Sequence, residues 1–253
     1  MVTGASRGIG AAISRELAFA GWNVVAGARG LEATEALARE LEEATGQRVL
    51  AVELDVADPN SIRTAVERAR EFAEEAGPLE ALVNNAGIAI SAPLLANSND
   101  AGDLYDLHMR VNFKGARLVA EALLPDMLER GAGAIVNIAS SAALRGYAYV
   151  AAYCASKHAL LGWSRAAAEE LTAKGVRVYA ICPHYVDSPM LADSVARLVE
   201  KTGMSEGDAR GFFAAQNPGG RLVAPDEVAA SVAAALRGEL DQLVVELPPS
   251  VED

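Results

Sequence analysis

Tyr153 and Lys157 are four residues apart and could together move a proton. In a helix this spacing places both side chains on one face. A phenol can protonate the alkoxide that forms when a carbonyl is reduced, but its ordinary pKa is about 10. A neighbouring ammonium stabilises the phenolate and lowers that pKa towards neutrality. The pair therefore indicates acid–base chemistry at a carbon–oxygen bond, although a surface pair on a helix would have the same spacing.

A second chemical feature is the glycine-rich stretch Thr3–Gly10, in which Gly4, Gly8 and Gly10 precede a helical pattern. Glycine is needed where backbone approaches a pyrophosphate closely or where a helix packs tightly on a strand. The start of the helix then offers free N–H groups and a partial positive charge to phosphate. The stretch predicts a dinucleotide-binding turn, and the alternative is an ordinary tight connection between strand and helix.

Short apolar runs alternate with longer helical patterns along the chain and must position these residues. After a short first strand that ends at the glycine-rich stretch, the predicted strands are Asn23–Gly27, Arg48–Leu54, Glu80–Val83, Ala134–Ala139, Val176–Ile181 and Gln242–Leu247. The predicted helices include Gly8–Ala20, Leu31–Thr45, Ser61–Ala76, Leu104–Arg130 and Ala151–Lys174. This alternation predicts a parallel sheet with helices on both faces, wound in both directions. We therefore expect one α/β domain over residues 1–253 with a doubly wound Rossmann fold.

Composition and charge narrow the function classes. The 253 residues are 51% hydrophobic and 22% charged, which is a globular composition without a run of about 20 apolar residues. The net charge of −12 argues against nucleic acid and membrane as partners, because both require a basic surface. An anionic cofactor would therefore be attracted by a few local charges and helix ends. Cys154 and Cys182 form neither a disulfide framework nor a metal motif, so a cytoplasmic location is expected and no metal is expected.

Further short motifs occur in a fixed order along the chain. They are Asp55-Val56 after the third strand, Asn84-Asn85-Ala86-Gly87 after the fourth, Asn112 in a long helix, Ser140 after the fifth, Tyr153-x-x-x-Lys157, and Pro183 after the sixth. Together with Thr3–Gly10 they resemble the short-chain dehydrogenase/reductase family over nearly the whole chain. An ordered series of motifs is more specific than any one of them.

The resemblance implies a seven-stranded parallel sheet that binds NAD(P) at the carboxyl ends of its strands. The cofactor-binding positions that it implies are Gly4, Ser6, Arg7, Gly8, Ile9, Gly10, Arg29, Asp55, Val56, Asn84, Ala86, Gly87, Tyr153, Lys157, Pro183, Val186 and Ser188. In such proteins the residue at Asp55 bonds the adenine, and the residue at Ser188 meets the cofactor carboxamide.

The charges near the second strand favour NADP over NAD. NAD-preferring relatives carry an acidic residue at the end of this strand, where it accepts from the ribose 2′-hydroxyl. Here the strand ends Gly27-Ala28-Arg29, and Arg29 with Arg7 could hold a 2′-phosphate. NAD stays possible, since either arginine could be a solvated surface charge.

The catalytic set that the resemblance implies is Asn112, Ser140, Tyr153 and Lys157. Ser140 would hold the substrate oxygen beside the phenol. It is preferred to its neighbour Ser141 because Ile138-Ala139-Ser140 matches the family pattern. Asn112 would hold a relay water near Lys157, although a buried amide that bends a helix is the plainer interpretation.

Residues 188–220 interrupt the alternation and are expected to form a substrate loop or lid over the strand ends. Candidate substrate-pocket residues are Leu144, Tyr147, His184, Tyr185, Met190 and Phe212. His184 stands where relatives usually have glycine after the proline, so its ring is a candidate to line the pocket. His108 and His158 are expected to be structural.

Both ends of the chain depart from the family pattern. Only two residues precede Thr3, so the first strand is expected to be short and to weaken the sheet, unless the true start lies upstream. The last strand runs into Pro248-Pro249 where relatives usually have two glycines that help to build a tetramer. A homotetramer or a homodimer is therefore expected.

The expected function is NADPH-dependent reduction of a ketone to a secondary alcohol by direct hydride transfer. The residues Ala28-Arg29-Gly30 and Ser156-Lys157-His158 look most like those of 3-oxoacyl carrier-protein reductases and polyketide ketoreductases, so the leading substrate is a 3-oxoacyl thioester or a polyketide-type ketone. The alternative is an NAD(P)-dependent secondary-alcohol dehydrogenase. A silent dinucleotide-binding regulator and a nucleotide-sugar epimerase fit the residues less well.

Overall fold

Seven short apolar segments form one parallel sheet in the computed structural model, which describes residues 1–95 and 102–249. The strands are β1 (Val2–Thr3), β2 (Val24–Ala28), β3 (Val49–Glu53), β4 (Ala81–Asn84), β5 (Gly133–Ile138), β6 (Val176–Pro183) and β7 (Val244–Leu247). Their order is β3-β2-β1-β4-β5-β6-β7, so the direction of winding reverses between β1 and β4. In such sheets ligands bind in the crevice at that reversal, outside the carboxyl ends of the strands. The predicted doubly wound, seven-stranded fold is confirmed.

Helices cover both faces of the sheet. They are α1 (Gly8–Phe19), α2 (Leu31–Thr45), α3 (Pro59–Ala76), α4 (Gly102–His108), α5 (Ala116–Arg130), α6 (Ala151–Leu171), α7 (Pro189–Thr202), α8 (Glu206–Ala214) and α9 (Pro225–Arg237). One apolar cluster joins the sheet to α1, α2 and α9 through residues such as Ile13, Leu41 and Val232. A second joins the other face to α3, α5 and α6 through residues such as Val66, Leu123 and Leu171. Burial on both faces explains why the strands are continuous apolar runs.

Helix ends follow the signals in the sequence. Asp58 accepts a hydrogen bond from Asn60 N and caps α3, whose first residue is Pro59. Gly46 and Gly131 end α2 and α5 in the left-handed conformation that glycine adopts without strain.

The predicted long helix Leu104–Arg130 is divided by a π-helical segment, Met109–Gly115, between α4 and α5. Asn112 lies in that segment, and its amide binds the backbone of Ile88. Gly115 packs so closely on Val56 that an added Cβ would lie 2.5 Å from the Val56 carbonyl oxygen. These contacts place the wider turn beside the strand ends, where π-helical turns often serve a site.

The short first strand is integrated into the centre of the sheet. Val2 pairs with Ala26 on one side and with Val83 on the other. The Met1 amine donates to Ala81 O at 2.7 Å, and Val83 N donates to Met1 O. The expected weakness is therefore offset by hydrogen bonds on both edges of β1.

Residues 188–220 contain α7, α8 and a 3₁₀ turn at Pro218–Gly220. The helices share a small apolar cluster of their own, with Leu191, Val195 and Ala209 at its centre. The segment starts and returns at one place, because Val186 forms a parallel bridge with Val223.

No helix within residues 1–95 and 102–249 is long and apolar enough to cross a membrane.

Candidate active site

Three side chains of the predicted catalytic set meet beyond the ends of β5 and β6. The Ser140 hydroxyl lies near enough to the Tyr153 phenol to lower its pKa. Lys157 lies one turn further along α6, and its buried Nζ donates to Ile138 O at 2.7 Å. This nitrogen is 5.8 Å from the centroid of the Tyr153 ring. The arrangement places a proton donor, a hydroxyl and a buried cation at the carboxyl edge of the sheet.

Burial controls the acidity of this group. It raises the pKa of Tyr153 to about 12, and the nearby Ser140 hydroxyl opposes that rise. Burial also lowers the pKa of Lys157 to about 8, because the ammonium loses its hydration. The pKa of Tyr153 therefore moves in the direction opposite to that expected from the sequence. The reason is geometric, since the ammonium is held at a backbone carbonyl and lies outside hydrogen-bond reach of the ring.

The two adjacent serines have separate partners. Ser140 contacts Tyr153 and also accepts a hydrogen bond from Ala142 N. The Ser141 hydroxyl lies 2.8 Å from the Tyr147 hydroxyl. This geometry favours Ser140 as the residue that contacts a substrate oxygen.

Asn112 connects the π-helical segment to the loop after β4. Its Oδ1 accepts from Ile88 N at 2.8 Å, and its Nδ2 donates to Ile88 O and to Ser156 Oγ. A Cβ added at Gly87 would lie 3.2 Å from Asn112 Oδ1 and 3.7 Å from Lys157 Nζ, so the three residues are close neighbours. Asn112 thus fixes the loop beside the lysine, and its relay role stays a prediction.

Histidine also fixes this loop. His108 is fully buried, accepts from Ile90 N through Nε2 and donates to Leu104 O through Nδ1. His158 bonds the carbonyl of Cys154 within its own helix. Both histidines therefore have hydrogen-bond partners in the backbone, in line with the structural role expected for them. Within the described parts of the chain, no group of three or more metal-ligating side chains is present.

The glycine turn has the close contacts that require glycine. A Cβ at Gly10 would lie 2.2 Å from Gly4 O, and one at Gly4 would lie 2.9 Å from Ala86 Cα. Gly4 and Gly8 have positive φ angles of 66° and 58°. No side chain among the described residues caps the start of α1 at Arg7. Its first N–H groups are therefore directed to an outside acceptor such as phosphate.

A residue that the sequence did not single out locks the turn. Asn85 Nδ2 donates to Thr3 O and Gly4 O, and the Thr3 hydroxyl accepts from the backbone of Asn85 and Ala86. These bonds join the turn after β1 to the turn after β4, which brings Gly4, Ala86 and Gly87 to one side of the crevice. Its place inside Asn84-Asn85-Ala86-Gly87 was the available signal.

Arg7 and Arg29 fit the expected anion site. Both side chains are exposed, and neither forms an ion pair within the described ranges. Ser6 and Ile9, in the same turn as Arg7, are half-buried. Two unpaired guanidiniums, a helix start and a backbone cradle suit a phosphorylated dinucleotide.

Asn84 has a different role from the one implied by the resemblance. Its buried Nδ2 donates to Asn137 Oδ1 at 2.9 Å and to Ala116 O at 3.1 Å. Asn137 in turn donates to Ser164 Oγ. The side chain is directed into the layer between sheet and helices, because alternate strand residues face opposite sides. Asn84 therefore joins β4, β5 and α5 and does not face the crevice.

Other expected cofactor residues keep local partners near the strand ends. Half-buried Asp55 accepts from Ala57 N, and Val56 is buried against Gly115. Val186 is buried at its bridge with Val223. Their contacts with a cofactor stay predictions.

The entrance to residues 188–220 lies against the glycine turn. Pro183 ends β6, and Ser188 Oγ accepts from Leu191 N at 3.4 Å and caps α7. A Cβ added at Gly8 would lie 3.1 Å from Pro189. The hydroxyl expected at the carboxamide is therefore beside the crevice, with its oxygen engaged at the helix start.

Aromatic rings form one wall beside Tyr153. Tyr185 lies 5.9 Å from Tyr147 and 5.0 Å from Phe213, measured between ring centroids. Burial, and to a smaller extent the nearby phenols of Tyr147 and Tyr153, raise the pKa of Tyr185 to about 12. Phe213, which contacts Tyr185, also packs against the predicted pocket residue Phe212, with ring centroids 5.5 Å apart. Of the other predicted pocket residues, Leu144, Met190 and Phe212 remain partly exposed.

His184 supports this wall from behind, contrary to the expectation that its ring lines the pocket. Its side chain is 0% exposed, and Nε2 donates to Glu246 Oε1 at 2.7 Å. Arg145 Nη2 donates to the opposite ring nitrogen at 3.4 Å. Neither Arg145 nor Glu246 belongs to a recognised motif, so only the structure shows this connection.

The chain is similar in sequence and in fold to several known proteins. The model of the family described as short chain dehydrogenase matches residues 1–198. The protein named ketoacyl reductase HetN of Nostoc sp. is 31% identical over 253 residues, which is 100% of this chain and 79% of its own. The protein named cis-4-hydroxycyclohexanecarboxylate dehydrogenase of Sinomonas cyclohexanicum is 37% identical over 233 residues, or 92% and 86%. A solved structure of an actinorhodin polyketide ketoreductase variant with NADPH has a TM-score of 0.88 at 34% identity, covering 97% of this chain and 94% of that one.

Proposed function

This chain belongs to the short-chain dehydrogenase family and is an oxidoreductase, and on that premise we propose that it reduces a ketone to a secondary alcohol with NADPH. The observation that carries the proposal is the meeting of Ser140, Tyr153 and Lys157 at the carboxyl edge of the sheet, next to the glycine turn. The ketoreductase names of the relatives support ketone reduction, and the NADPH in the neighbouring structure supports the choice of nucleotide.

The protein side of the reaction follows from the positions of these groups. NADPH, when bound, supplies the hydride that reduces the carbonyl carbon. Ser140 donates a hydrogen bond to the carbonyl oxygen and holds it beside the Tyr153 phenol. Tyr153 then gives its proton to the oxygen as negative charge develops there. A raised pKa suits this acid role, because the phenol stays protonated across the physiological pH range.

The nucleotide would be held by the parts of the crevice already described. The glycine turn and the start of α1 would bind the pyrophosphate, while Arg7 and Arg29 would bind the 2′-phosphate. Lys157 would face the nicotinamide ribose and keep a positive charge next to Tyr153.

Replacement of one hydroxyl tests the assignment. Tyr153→Phe should lower kcat at least 1,000-fold, because the acid is lost, on the order expected for general acid catalysis. The affinity for NADPH, measured by its fluorescence, should change less than about threefold. Tyr179→Phe is the matched control, since Tyr179 is buried in β6 on the sheet face covered by α1 and α9. A Tyr153→Phe enzyme that keeps its full rate would refute the proposal.

The proposed substrate is a 3-oxoacyl thioester or a polyketide-type ketone, in line with the names of two of the similar proteins. A second candidate is oxidation of a secondary alcohol, which the name of the Sinomonas relative favours. A screen of 3-oxoacyl thioesters, ketoesters and aromatic ketones with NADPH and NADH, together with cyclic alcohols and NADP⁺ or NAD⁺, separates the two. Faster turnover of the alcohols would make the second candidate the main function.

We also propose that residues 188–220 act as the substrate lid and that the chain forms a homotetramer or homodimer in the cytoplasm. Two helices with their own apolar cluster support the lid. The two buried free thiols, Cys154 and Cys182, suit a reducing compartment. Light scattering on the purified protein measures the assembly, and a monomer at enzyme concentrations above the assay range would refute it.

A further inference from the structure

Arg145 is an exposed arginine at the carboxyl end of the sheet, and its side chain is held by a phenol and an imidazole. Its Nε donates to the Tyr147 hydroxyl at 2.8 Å, and its guanidinium carbon lies 5.0 Å from the centroid of that ring. Its Nη2 donates to His184 Nδ1. Within residues 1–95 and 102–249, no carboxylate forms an ion pair with it. By contrast, Arg210 in residues 188–220 forms an ion pair with Asp187.

The guanidinium lies near the reacting groups. The Tyr147 hydroxyl that it contacts is 2.8 Å from Ser141 Oγ, and Ser141 follows Ser140 directly. Tyr185 lies within electrostatic range of Arg145 and of Tyr153, because the first lowers and the second raises its pKa. Arg145 and Tyr153 are thus both near Tyr185.

The hydrogen-bonded pair of His184 and Glu246 orients Arg145. Glu246 accepts the Nε2 proton of His184, so the Nδ1 lone pair faces the guanidinium. A fully buried ring between a carboxylate and an arginine is a rigid support. It holds one edge of the guanidinium.

The free edge of Arg145 can still bind an anion. A guanidinium has five N–H donors, and the two hydrogen bonds to Tyr147 and His184 use two of them. The three that remain include both N–H groups of Nη1. This matches the paired donors that carboxylate and phosphate oxygens accept. In a chain of net charge −12, such a local cation is what would draw an anionic substrate to this end of the cleft.

We propose that Arg145 binds an oxyanion of the ketone substrate and selects acidic ketones over neutral ones. The inference deepens the proposed function and rests on it. Two kinds of ketone bring this chemistry: a keto acid, through its carboxylate, and a thioester on a phosphopantetheine arm, through its phosphate. In both, the oxyanion stays unchanged while the carbonyl is reduced.

Paired substrates test the proposal. The first pair is 4-oxopentanoate and its methyl ester, and the second is the acetoacetyl thioester of phosphopantetheine and that of N-acetylcysteamine. With NADPH, the wild-type enzyme should have a higher kcat/KM for the charged member of at least one pair. Arg145→Gln should lower that value at least tenfold and change the neutral member less than threefold. The pair that responds identifies the source of the oxyanion.

Two further variants complete the test. Arg145→Lys should keep part of the preference, because it keeps the charge but loses the paired donors. Arg237→Gln changes the net charge equally at an exposed ion pair with Glu239 and should have no effect. Equal losses on charged and neutral substrates, or no preference in either pair, would overturn the proposal.

The outcome stays distinct from failure of the proposed function. If none of the four ketones is reduced, the proposed function fails for these substrates. Calorimetric titration of 4-oxopentanoate and of phosphopantetheine into the NADPH-loaded wild type and Arg145→Gln then decides the binding claim. Tenfold weaker binding of one anion by the variant supports the claim, and equal affinities for both anions overturn it.

Discussion

At the scale of single residues, Lys157 is buried although its ammonium is better solvated in water. The structure lowers its pKa from 10.5 to about 8, which corresponds to roughly 3 kcal/mol of unfavourable desolvation in the folded state. Its bond to Ile138 O offsets part of this cost. Burial of Lys157 therefore lowers the stability of the folded protein and places a fixed cation near Tyr153.

Replacement of Lys157 by Met tests this loss of stability. We expect Lys157→Met to raise the free energy of unfolding by about 1 kcal/mol at pH 7, while ketone reduction falls at least 100-fold. Because the folded pKa lies below the unfolded one, the wild type should gain stability as the pH rises from about 8 towards 10.5. The variant should lack this gain. Urea unfolding of both proteins at pH 7 and pH 9 measures it, and a constant difference between them would contradict the expectation.

Arg29 should decide the choice of nucleotide. We expect Arg29→Asp to lower kcat/KM for NADPH at least tenfold, because a charge-assisted bond becomes a repulsion. The value for NADH should fall less than threefold or rise. Arg39→Asp, an exposed change of equal charge on α2, is the control. Kinetics with both nucleotides measure the ratio, and an unchanged ratio would exclude Arg29 from the phosphate site.

The sequence predicted which side chains lie together at the strand ends better than it predicted their environment. The spacing of Tyr153 and Lys157 was sufficient to place them on one helix face, and the strand-end motif was sufficient to choose Ser140. Spacing says nothing about how deeply a phenol is buried, so it gave the wrong direction for the pKa of Tyr153. It also missed the burial of His184, which depends on Glu246, a residue 62 positions away.

At the scale of elements, the turn after β1 is made rigid by backbone contacts. Gly10→Ala should abolish NADPH binding, because the new Cβ would lie 2.2 Å from Gly4 O and displace the turn. Gly21→Ala is the control at an exposed glycine with no close neighbour, where strain from its positive φ should lower stability by about 1 kcal/mol without loss of binding. NADPH fluorescence titration and thermal melting measure both. Normal binding by Gly10→Ala would show that the turn adapts.

The Asn217 side chain connects the two ends of residues 188–220, next to the bridge between Val186 and Val223. Asn217 accepts from Tyr185 N and donates to Tyr185 O and Arg221 O. We expect Asn217→Ala to destabilise residues 188–220 by about 1–3 kcal/mol, because Tyr185 N and Arg221 O lose their partner, while Tyr185 O keeps Val223 N. Hydrogen exchange should quicken there and stay unchanged in the sheet. Uniform loss of protection would show that the segment unfolds only with the whole domain.

At the scale of the whole molecule, the alternation of apolar runs and helical patterns was sufficient to predict the parallel sheet and its winding. It did not show the division of the long helix Leu104–Arg130, because a π-helical turn has nearly the apolar pattern of an α-helix. The reversal between β1 and β4 explains why the motifs converge. Each follows a different strand, and all the strands end at one edge.

The bridge between Val186 and Val223 has a consequence for how such an enzyme changes over evolution. The 36 residues between the two partners form an excursion whose ends are hydrogen-bonded to each other, as Asp187 N donates to Val223 O and Val223 N donates to Tyr185 O. A replacement, lengthening or shortening of the chain inside this excursion would leave the strand register and Tyr153 in place. If the excursion covers the substrate as proposed, its exchange would change the shape of the pocket, while Arg145 and the groups proposed for proton transfer would stay in the stretch from β5 to α6.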